Sequence, residues 1–449
     1  MRITMPENVK LIISRLENSG FSAYAVGGCV RDSIMGRTVH DWDICTSAEP
    51  QEVLTSLGKH NIIDTGLKHG TVTVNYDNEL YEITTFRTDG EYKDNRRPEK
   101  VTFVRSLKED LARRDFTMNS IAYNDREGKK DIYGGEKDIR NKIIRCVGEP
   151  SKRFNEDALR IMRALRFSSV LGFEIEKETL DAAKKYAYLL NNISAERIQS
   201  ELLGILDGEF AERVLTDNID ILGVIIPEIL PMVGHKQYNP HHIYDIWMHT
   251  VKVTVKSPYG KIPRMAALLH DIAKPRCFTV DERGIGHFKG HPEKGAEMAK
   301  NIMNRLRFDK KSTETVSKMI FYHDRRPAAN EKNVRKLISE LGKEDFLLLM
   351  DLKIADARGQ NPSTLEQKLQ YVEELKKIFY EQTSDGNSFD LKTLDINGTD
   401  IINAGIAQGR NIGIILRYLL ESVIDGSVLN QKDILMKKAE EYAEKINDN

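Results

Sequence analysis

The chain has 449 residues, 40% of them hydrophobic, enough for about two to four domains with ample core. Lys+Arg (67) and Asp+Glu (68) cancel, so net charge argues neither for nor against nucleic acid; a polyanion binder would need its cations gathered on one face. The cysteines at 29, 45, 146 and 277 make no CxxC pair, which excludes a cysteine-ligated zinc site and points to a reducing compartment.

The amino terminus, "MRITMPENVKLIISRLENSG", has no apolar run or small-residue cleavage site. No stretch of about 18 apolar residues follows, so a cytoplasmic protein without membrane contact is expected, its oligomeric state open. Val9, Ile12, Ile13 and Leu16 predict a helix over 6–18 ended by Gly20. "FSAYAVGG" predicts a buried strand entering a glycine turn, "VRDSIMG" a helical turn stopped by Gly36, and "HDWDICT" a second strand. "GTVTVNY" and "LYEITTFR" alternate around "DNE" as a hairpin. From "RFNEDALRIMRALRFSSVLGF" onward the period is helical, and "SAERIQSELLGILDG" is the next clear helix, with Ser194 as N-cap. A histidine-rich helical segment spans roughly 235–360. "QTSDGNSFD" (382–390) reads as a linker, before two helices around a glycine-rich turn in "GTDIINAGIAQGRNIGIILRYLLESVIDGSV".

The span "GGCVRDSIMGRTVHDWDICTS" (27–47) sets glycines and an arginine, which suit anions, beside two aspartates, which repel them. Asp41 and Asp43 flank Trp42 on the expected strand, so both side chains emerge on one face. Such a pair of hard oxygen ligands suits magnesium, which also takes phosphate oxygens. Gly27 and Gly28 let backbone N–H groups approach phosphates, and Arg31 adds a bidentate charge. An ion and nucleotide phosphates between arginine and carboxylates resolve the conflict; alone, the span reads equally as an exposed loop.

Two further stretches complete a set: "RRDFTMNSIAY" (113–123) and "EDALRIMRALRF" (156–167). In this order the motifs resemble the class II tRNA nucleotidyltransferases, the CCA-adding enzymes and their bacterial poly(A) polymerase relatives. The resemblance runs from Gly27 to about residue 205. It implies nucleotide contacts from Gly28 and Arg31, metal ligation by Asp41 and Asp43, and triphosphate or ribose contacts from Arg114, Asp115 and Asn119. Such enzymes want a third carboxylate near the attacking 3′-hydroxyl; Glu82 is the candidate, and a solvent-facing strand residue is its plainer alternative. Asp157 and Arg160, expected on one helix face, form either an ion pair or a base reader. Cytosine and adenine both offer an exocyclic amine beside a ring-nitrogen acceptor, so an Asp–Arg pair accepts C and A and leaves U and G unpaired. The resemblance assigns Arg163 and Arg166 to the nucleotide pocket, with phosphate of the tRNA acceptor end as the alternative. "TDGEYKDNRRPEKVTFV" (88–104), with Asp94, Arg96, Arg97 and Pro98, is similar to the family's flexible loop, which accompanies addition of the final A.

Further on, "HTVKV" (His249), "LLHDIAKP" (His270, Asp271), "GHPEKG" (His291), "YHDRRP" (His323) and "IADARG" (Asp356) follow in an order that resembles the HD phosphohydrolase superfamily. The resemblance places His249, His270, Asp271 and Asp356 at a first metal and gives His291 and His323 to a second. Imidazole mixed with carboxylate suits a transition metal such as Mn, Ni or Co. In some relatives this domain hydrolyses 2′,3′-cyclic phosphates or 2′-nucleotides, and in others it is a degenerate copy. In the tail, Gly405, Gly409 and Gly413 with Arg410 suit either a tRNA phosphate or tight helix packing.

The expected fold is α+β: a mixed α/β, polymerase-β-like nucleotidyltransferase head over 1–150, a helical neck reading the base over 151–235, an HD-type metal-binding helical domain over 236–360, and a helical, tRNA-binding tail over 361–449. The expected activity is template-independent, magnesium-dependent addition of C, C and A to tRNA from CTP and ATP. The rivals are an A-only adder or poly(A) polymerase, a phosphohydrolase with a nucleotide-binding head, and a non-catalytic RNA-binding module.

Overall fold

The computed structural model describes residues 2–58, 62–63, 70–90, 101–238, 243–384 and 389–447. The chain divides into two compact units, Met1–Pro227 and Glu228–Asn449. The loop residues Asp94, Arg96, Arg97 and Pro98 lie outside the described residues.

In the first unit, α1 (Glu7–Asn18) buries Val9, Ile12, Ile13 and Leu16, as their spacing requires, against β1 (Ala23–Val26) and α3 (Pro50–Leu57). Between them lie α2 (Gly28–Ile34) and β2 (Ile44–Thr46). A short β3 (Ile62–Ile63) precedes the hairpin β4 (Thr71–Tyr76) and β5 (Glu79–Thr85), turned by Asp77 and Asn78, both at positive φ. A two-stranded ladder, β6 (Arg87–Asp89) and β7 (Val101–Phe103), and α4 (Leu107–Ala112) follow. The strands β8 (Ile121–Asn124) and β9 (Gly128–Asp131) complete a seven-stranded sheet in the order β3-β4-β5-β2-β1-β8-β9. Only β2 and β5 pair in parallel within it, Ile44 opposite Ile83. Tyr24, Val26, Cys45, Phe86, Leu111 and Ala122 form a core cluster against the sheet.

Helices then take over. α5 (Gly135–Asn141) and the small parallel ladder β10 (Ile143–Ile144) with β11 (Glu174–Ile175) bracket α6 (Pro150–Glu156) and α7 (Leu159–Leu171). α8 (Lys177–Tyr186), α9 (Ala195–Leu206), α10 (Ala211–Asp217) and α11 (Ile219–Ile225) follow, with α9 packed on α7.

Two expectations need correction here. The strand in "HDWDICT" begins only at Ile44, so Asp41 and Asp43 stand just before it; Trp42 is buried while both aspartates are exposed, which preserves the alternation. "EDALR" is not one helix face. Asp157 has extended backbone (φ −139°, ψ 103°) in the break between α6 and α7, where its carboxylate accepts from Leu159 N at 3.1 Å. Ser194 does sit at the N-cap of α9, but its side chain makes no capping bond.

The second unit contains α12 (Ile246–Lys256), α13 (Lys261–Leu269), α14 (Lys274–Cys277), the ladder β12 (Thr279–Val280) with β13 (Gly286–His287), α15 (His291–Arg305), α16 (Lys310–Tyr322), α17 (Glu331–Leu341), α18 (Lys343–Gly359) and α19 (Leu365–Thr383). Asp245 and Asp309 cap α12 and α16 through Met248 N (2.7 Å) and Ser312 N (2.8 Å). The expected linker starts later than its composition implies: α19 runs to Thr383, and Phe389 is buried under Arg335. The two helices expected around the glycine-rich turn are α20 (Gly398–Asn403) and α21 (Arg410–Ile424); α22 (Lys432–Asn447) follows, and the three pack around Ile396, Ile401, Ile415, Leu419, Leu435 and Ala439. Gly405 and Gly409 shape the α20–α21 turn at φ of 72° and 59°, while Gly413 lies inside α21. Among the described residues no helix is long and apolar enough to cross a membrane, and all four cysteines are free.

Candidate active site and candidate metal centre

In the head, the parallel register of β2 on β5 puts Glu82 level with Asp43, each one residue before the Ile44–Ile83 pair. Asp41, Asp43 and Glu82 are all exposed, at one place on the sheet. Although Asp43 reaches solvent, partial desolvation raises its carboxyl pKa; Arg114 opposes this, and the charges of Glu82 and Asp41 add to it. Three hard oxygen donors repelling one another suit a divalent ion such as magnesium.

The residues opposite the carboxylates form one connected network. Gly27, at φ 86°, takes a conformation only glycine accepts readily, and a Cβ there would lie 3.4 Å from Arg114 NH1 and 4.0 Å from Asp43 Oδ2. Gly28 opens α2, and Arg31, one turn on, is buried. Arg31 donates to Asp32 through Nε and NH2, both at 2.9 Å, and to Asn119 Oδ1 through NH1 at 2.7 Å. Asn119 donates at 3.2 Å to Asp115, which also accepts from Arg163 Nε at 2.8 Å. Burial alone would raise the Asp115 carboxyl pKa, but the Arg163 guanidinium overcomes it and holds the group at about 2. Arg166 pairs with Glu201 at 2.6 Å. Arg31, Arg163 and Arg166 all stand over the Phe167 ring, at 5.1, 5.4 and 4.5 Å from its centroid.

Asp157 and Arg160 are not paired with each other. Asp157 accepts from Arg197 NH1 and NH2 at 3.3 and 2.8 Å. Arg160 is buried, donating to Glu156 (2.8 Å) and to the carbonyls of Arg153 (3.2 Å) and Arg113 (2.9 Å). Sequence reasoning missed Asp110, wholly buried on α4, which accepts from Arg113 at 2.7 Å and Arg114 at 3.2 Å. Burial would raise its pKa, but Arg114 and Arg113 hold it down. Its i,i+3 and i,i+4 spacing in "EDLARR" was a usable signal. Arg197, Glu201 and Phe167 gave none of comparable strength.

The second cluster is of another kind. His249, His270, Asp271, His291 and His323 are buried, and Asp356 is largely so. Each imidazole directs Nδ1 at a carbonyl: His249 at Gly359 O (3.1 Å), His270 at Ala267 O (2.8 Å), His291 at Phe288 O (2.8 Å), His323 at Ile320 O (2.6 Å). A carbonyl can only accept, so Nδ1 carries the proton and Nε2 presents a lone pair. All four Nε2 atoms converge on Asp271. Oδ2 lies 3.4 Å from His249 and 3.2 Å from His270; Oδ1 lies 3.5 Å from His291 and 3.7 Å from His323. Asp356 Oδ1 is 3.1 Å from His249 Nε2 and 3.8 Å from His270 Nε2.

Asp271 is fully buried, and the His270 imidazole with Lys274, whose Nζ stands 2.7 Å from Oδ2, holds its carboxyl well below the usual range against the cost of burial. A buried carboxylate facing four lone pairs is a cavity for positive charge, and the donor set fits a transition metal. Burial opposes protonation of His270, yet the Asp271 charge raises its pKa; at His291 burial prevails, and the pKa falls to about 4. Two ligand sets, His249–His270–Asp271 and Asp271–His291–His323, each bring their atoms within 4.8 Å of one another. The two sets have Asp271 in common. Gly359, also missed from the sequence, orients His249: a Cβ there would meet Val253 Cγ2 at 2.7 Å.

Comparison with known proteins agrees with this layout. Residues 23–145 match the Poly A polymerase head domain, 172–231 the probable RNA and SrmB-binding site of polymerase A, and 260–358 the HD domain. A CCA-adding enzyme of Ligilactobacillus salivarius is 34% identical over 441 residues, covering 96% of each chain. The chain belongs to the CCA-adding enzyme family. Another CCA-adding enzyme, from Geobacillus stearothermophilus, is 53% identical over 204 residues, 45% of this chain and 50% of that one. The crystal structure of the Bacillus stearothermophilus CCA-adding enzyme in complex with CTP superposes with a TM-score of 0.68 at 28% identity, covering 99% of this chain and all of that one.

Proposed function

We propose that this protein adds C, C and A to the 3′ end of tRNA from CTP and ATP, without a template and with release of pyrophosphate. The observation that carries this is the 34% identity to a CCA-adding enzyme over 96% of both chains, joined to the exposed acidic trio of the head. The terminal RNA hydroxyl attacks the α-phosphorus, and the bond to the β-phosphate oxygen breaks. Magnesium held by Asp41, Asp43 and Glu82 would neutralise charge on the attacking and leaving oxygens. Arg114, fixed by Asp110, faces Asp43 and is placed to bind triphosphate; Gly28, Arg31, Asp115 and Asn119 line the nucleotide side, with Arg163 and Arg166 steadied by Asp115 and Glu201. In this proposal Asp157 and Arg160 read the base edge by exchanging Arg197 and Glu156 for the nucleotide. Residues 1–150 then act as catalytic head, 151–235 as base-reading neck, 236–360 as metal-binding domain and 361–449 as tRNA-binding tail.

Full CCA addition rather than A-only or poly(A) addition is favoured by the family membership and tested by end-group specificity. Transcripts ending at the discriminator base, at C and at CC are incubated with CTP and ATP. Extension of all three to CCA is expected; A-addition to the CC transcript alone supports the A-only rival, and no extension anywhere supports the hydrolase rival.

The converging Nε2 atoms favour a second activity. A transition metal such as Mn, Ni or Co, bound by His249, His270, Asp271 and Asp356, with His291 and His323 for a second ion, would supply Lewis-acid activation of a phosphoester. We take 2′,3′-cyclic phosphates and 2′-nucleotides as its substrate class. A cytoplasmic location fits four unpaired cysteines and belongs to the same proposal.

A further inference from the structure

Two cavities meet at the histidine centre. The first, of about 520 Å³, is walled by Asp271, His291 and His323 with the cations Lys274, Lys289 and Arg325. The second, of about 300 Å³, shares His323, Asp324, Arg326 and Asp356 with the first and extends toward α19. Its own lining is of mixed character: Ala357 from α18, and Thr364, Gln367, Lys368, Tyr371 and Val372 from the start and one face of α19.

The polar groups of these walls are partly committed. Tyr371 donates its hydroxyl to Pro327 O at 2.7 Å, which pins the ring as a wall. Lys353, also in the lining, donates to His323 O (2.6 Å) and Arg325 O (2.7 Å), tying α18 to the His323 segment. Lys368 bonds Gln360 Oε1, and the Gln360 amide donates to both Asp356 oxygens at 2.8 Å. Lys368 is therefore linked through Gln360 to a candidate metal ligand. Beside the charged residues shared with the first cavity, the lining offers a ligand an aromatic ring and aliphatic surface, with an amide, a hydroxyl and an ammonium. That complements a nucleobase, whose faces are apolar and whose edge hydrogen-bonds. The volume lies at the lower end of the roughly 300–1,000 Å³ of small-molecule sites, room for one nucleoside.

We propose that this second cavity is the nucleoside subsite of the histidine centre, receiving the base of a nucleotide whose phosphate lies in the first. The proposal rests on the phosphohydrolase reading above. Its ligand is a nucleoside 2′- or 3′-phosphate or 2′,3′-cyclic phosphate, carried either by a free nucleotide or by an RNA 3′ end.

The test compares wild type, Tyr371→Ala, Tyr371→Phe and Thr364→Trp in the full-length protein. Loss of a stacking ring or filling of the cavity should raise KM for adenosine 2′,3′-cyclic phosphate about tenfold, with the base-free bis(p-nitrophenyl) phosphate shifted far less. Tyr371→Phe, which keeps the ring and loses only its bond to Pro327, should stay much closer to wild type than Tyr371→Ala. An RNA oligomer ending in the cyclic phosphate, run beside the mononucleotide, identifies the source by its lower KM, and either winner upholds the subsite. Calorimetric titration of adenosine 3′-monophosphate into EDTA-treated protein gives a readout without turnover, the head contributing equally to all variants. Equal losses on both esters, or unchanged KM and unchanged titration affinity, would overturn the subsite. Should wild type hydrolyse no ester with Mn, Ni, Co or Mg, the phosphohydrolase reading falls, and the titration alone decides: weaker binding by Tyr371→Ala and Thr364→Trp upholds the subsite, equal binding overturns it.

Discussion

The head's carboxylates and the histidine cluster are both candidate cation-binding centres, built in opposite ways. Asp41, Asp43 and Glu82 are exposed, two on irregular backbone just ahead of a three-residue strand, and Arg114 is the cation placed against them. The histidine cluster is buried, every imidazole is fixed by a carbonyl, and its ligand atoms already lie within 4.8 Å of one another in two sets. On the proposed roles, a site that must admit a triphosphate and an RNA end stays open and is completed by its substrates. One that stores positive charge in a low-dielectric interior is organised beforehand. Single substitutions should therefore act differently in the two places.

The largest effect is expected in the open site. Asp41→Ala or Asp43→Ala should lower single-turnover nucleotide addition by about a thousandfold or more, roughly 4 kcal/mol of barrier, with little change in melting temperature because both side chains are exposed. Activity within about tenfold of wild type would show that neither is a ligand. In the closed site the change should be in metal content. His270→Ala should strip the transition ion from purified protein, measured by elemental analysis, while addition continues near the wild-type rate; equal metal in both proteins would break the comparison. Gly359→Ala sharpens it further. The new methyl meets Val253 and displaces the carbonyl that orients His249, so about 1–3 kcal/mol of stability and roughly 10–100-fold in metal affinity should be lost together. Retained affinity at lowered stability would mean the carbonyl does not orient His249.

A third test concerns the network behind the open site. The folded pKa of Asp115, about 2, lies below the roughly 3.9 of an unfolded aspartate. A depressed carboxylate contributes stability above its unfolded pKa and loses it as pH falls through the folded one, so the contribution, on the order of 2 kcal/mol, is complete above about pH 4 and fades toward pH 2. Asp115→Asn should be less stable than wild type by a constant amount from pH 7 to about 4, with the gap closing below. Urea unfolding followed by Trp42 fluorescence, with Trp247 replaced by Phe, measures this; a gap independent of pH would show that the Asp115 charge is not what Arg163 stabilises.

The difference between the two centres also governs what could be read from sequence. Three histidine locks are local: His270, His291 and His323 each use the carbonyl three residues earlier, so residue order carried most of that geometry. His249 reaches Gly359, 110 residues away, and nothing in "IADARG" announced it. The sheet alternation that exposes Asp41 and Asp43 around Trp42 was legible although the strand boundary was not, because burial of Trp42 fixes the facing whether or not a ladder has formed. Asp157 was misplaced because helical periodicity runs unbroken through "NEDALRIM", and the carboxylate's bond to Leu159 N, a local competitor of the helix, ends α6 there. The partners Arg197 and Glu201 come from α9, brought beside α7 by packing that no local pattern encodes.

The smallest expected effect falls on that misplaced pair. Asp157 has a carboxylate held by one side-chain partner, Arg197, whereas Arg160 is gripped by Glu156 and two carbonyls. The two should therefore fail differently. Asp157→Ala removes the acceptor for the exocyclic amine at little structural cost, so UTP should gain relative to CTP by about tenfold, near 1.4 kcal/mol, in single-nucleotide extension of a discriminator-ended transcript. Arg160→Ala leaves Glu156 half-buried with Arg153 as its cation partner among the described residues, so a lower melting temperature should accompany the relaxed choice. Arg197→Ala separates selectivity from structure: it frees Asp157 without deleting it, so CTP should remain preferred even if the overall rate falls. Loss of preference in Arg197→Ala but not in Asp157→Ala would move base reading from the break between α6 and α7 onto α9.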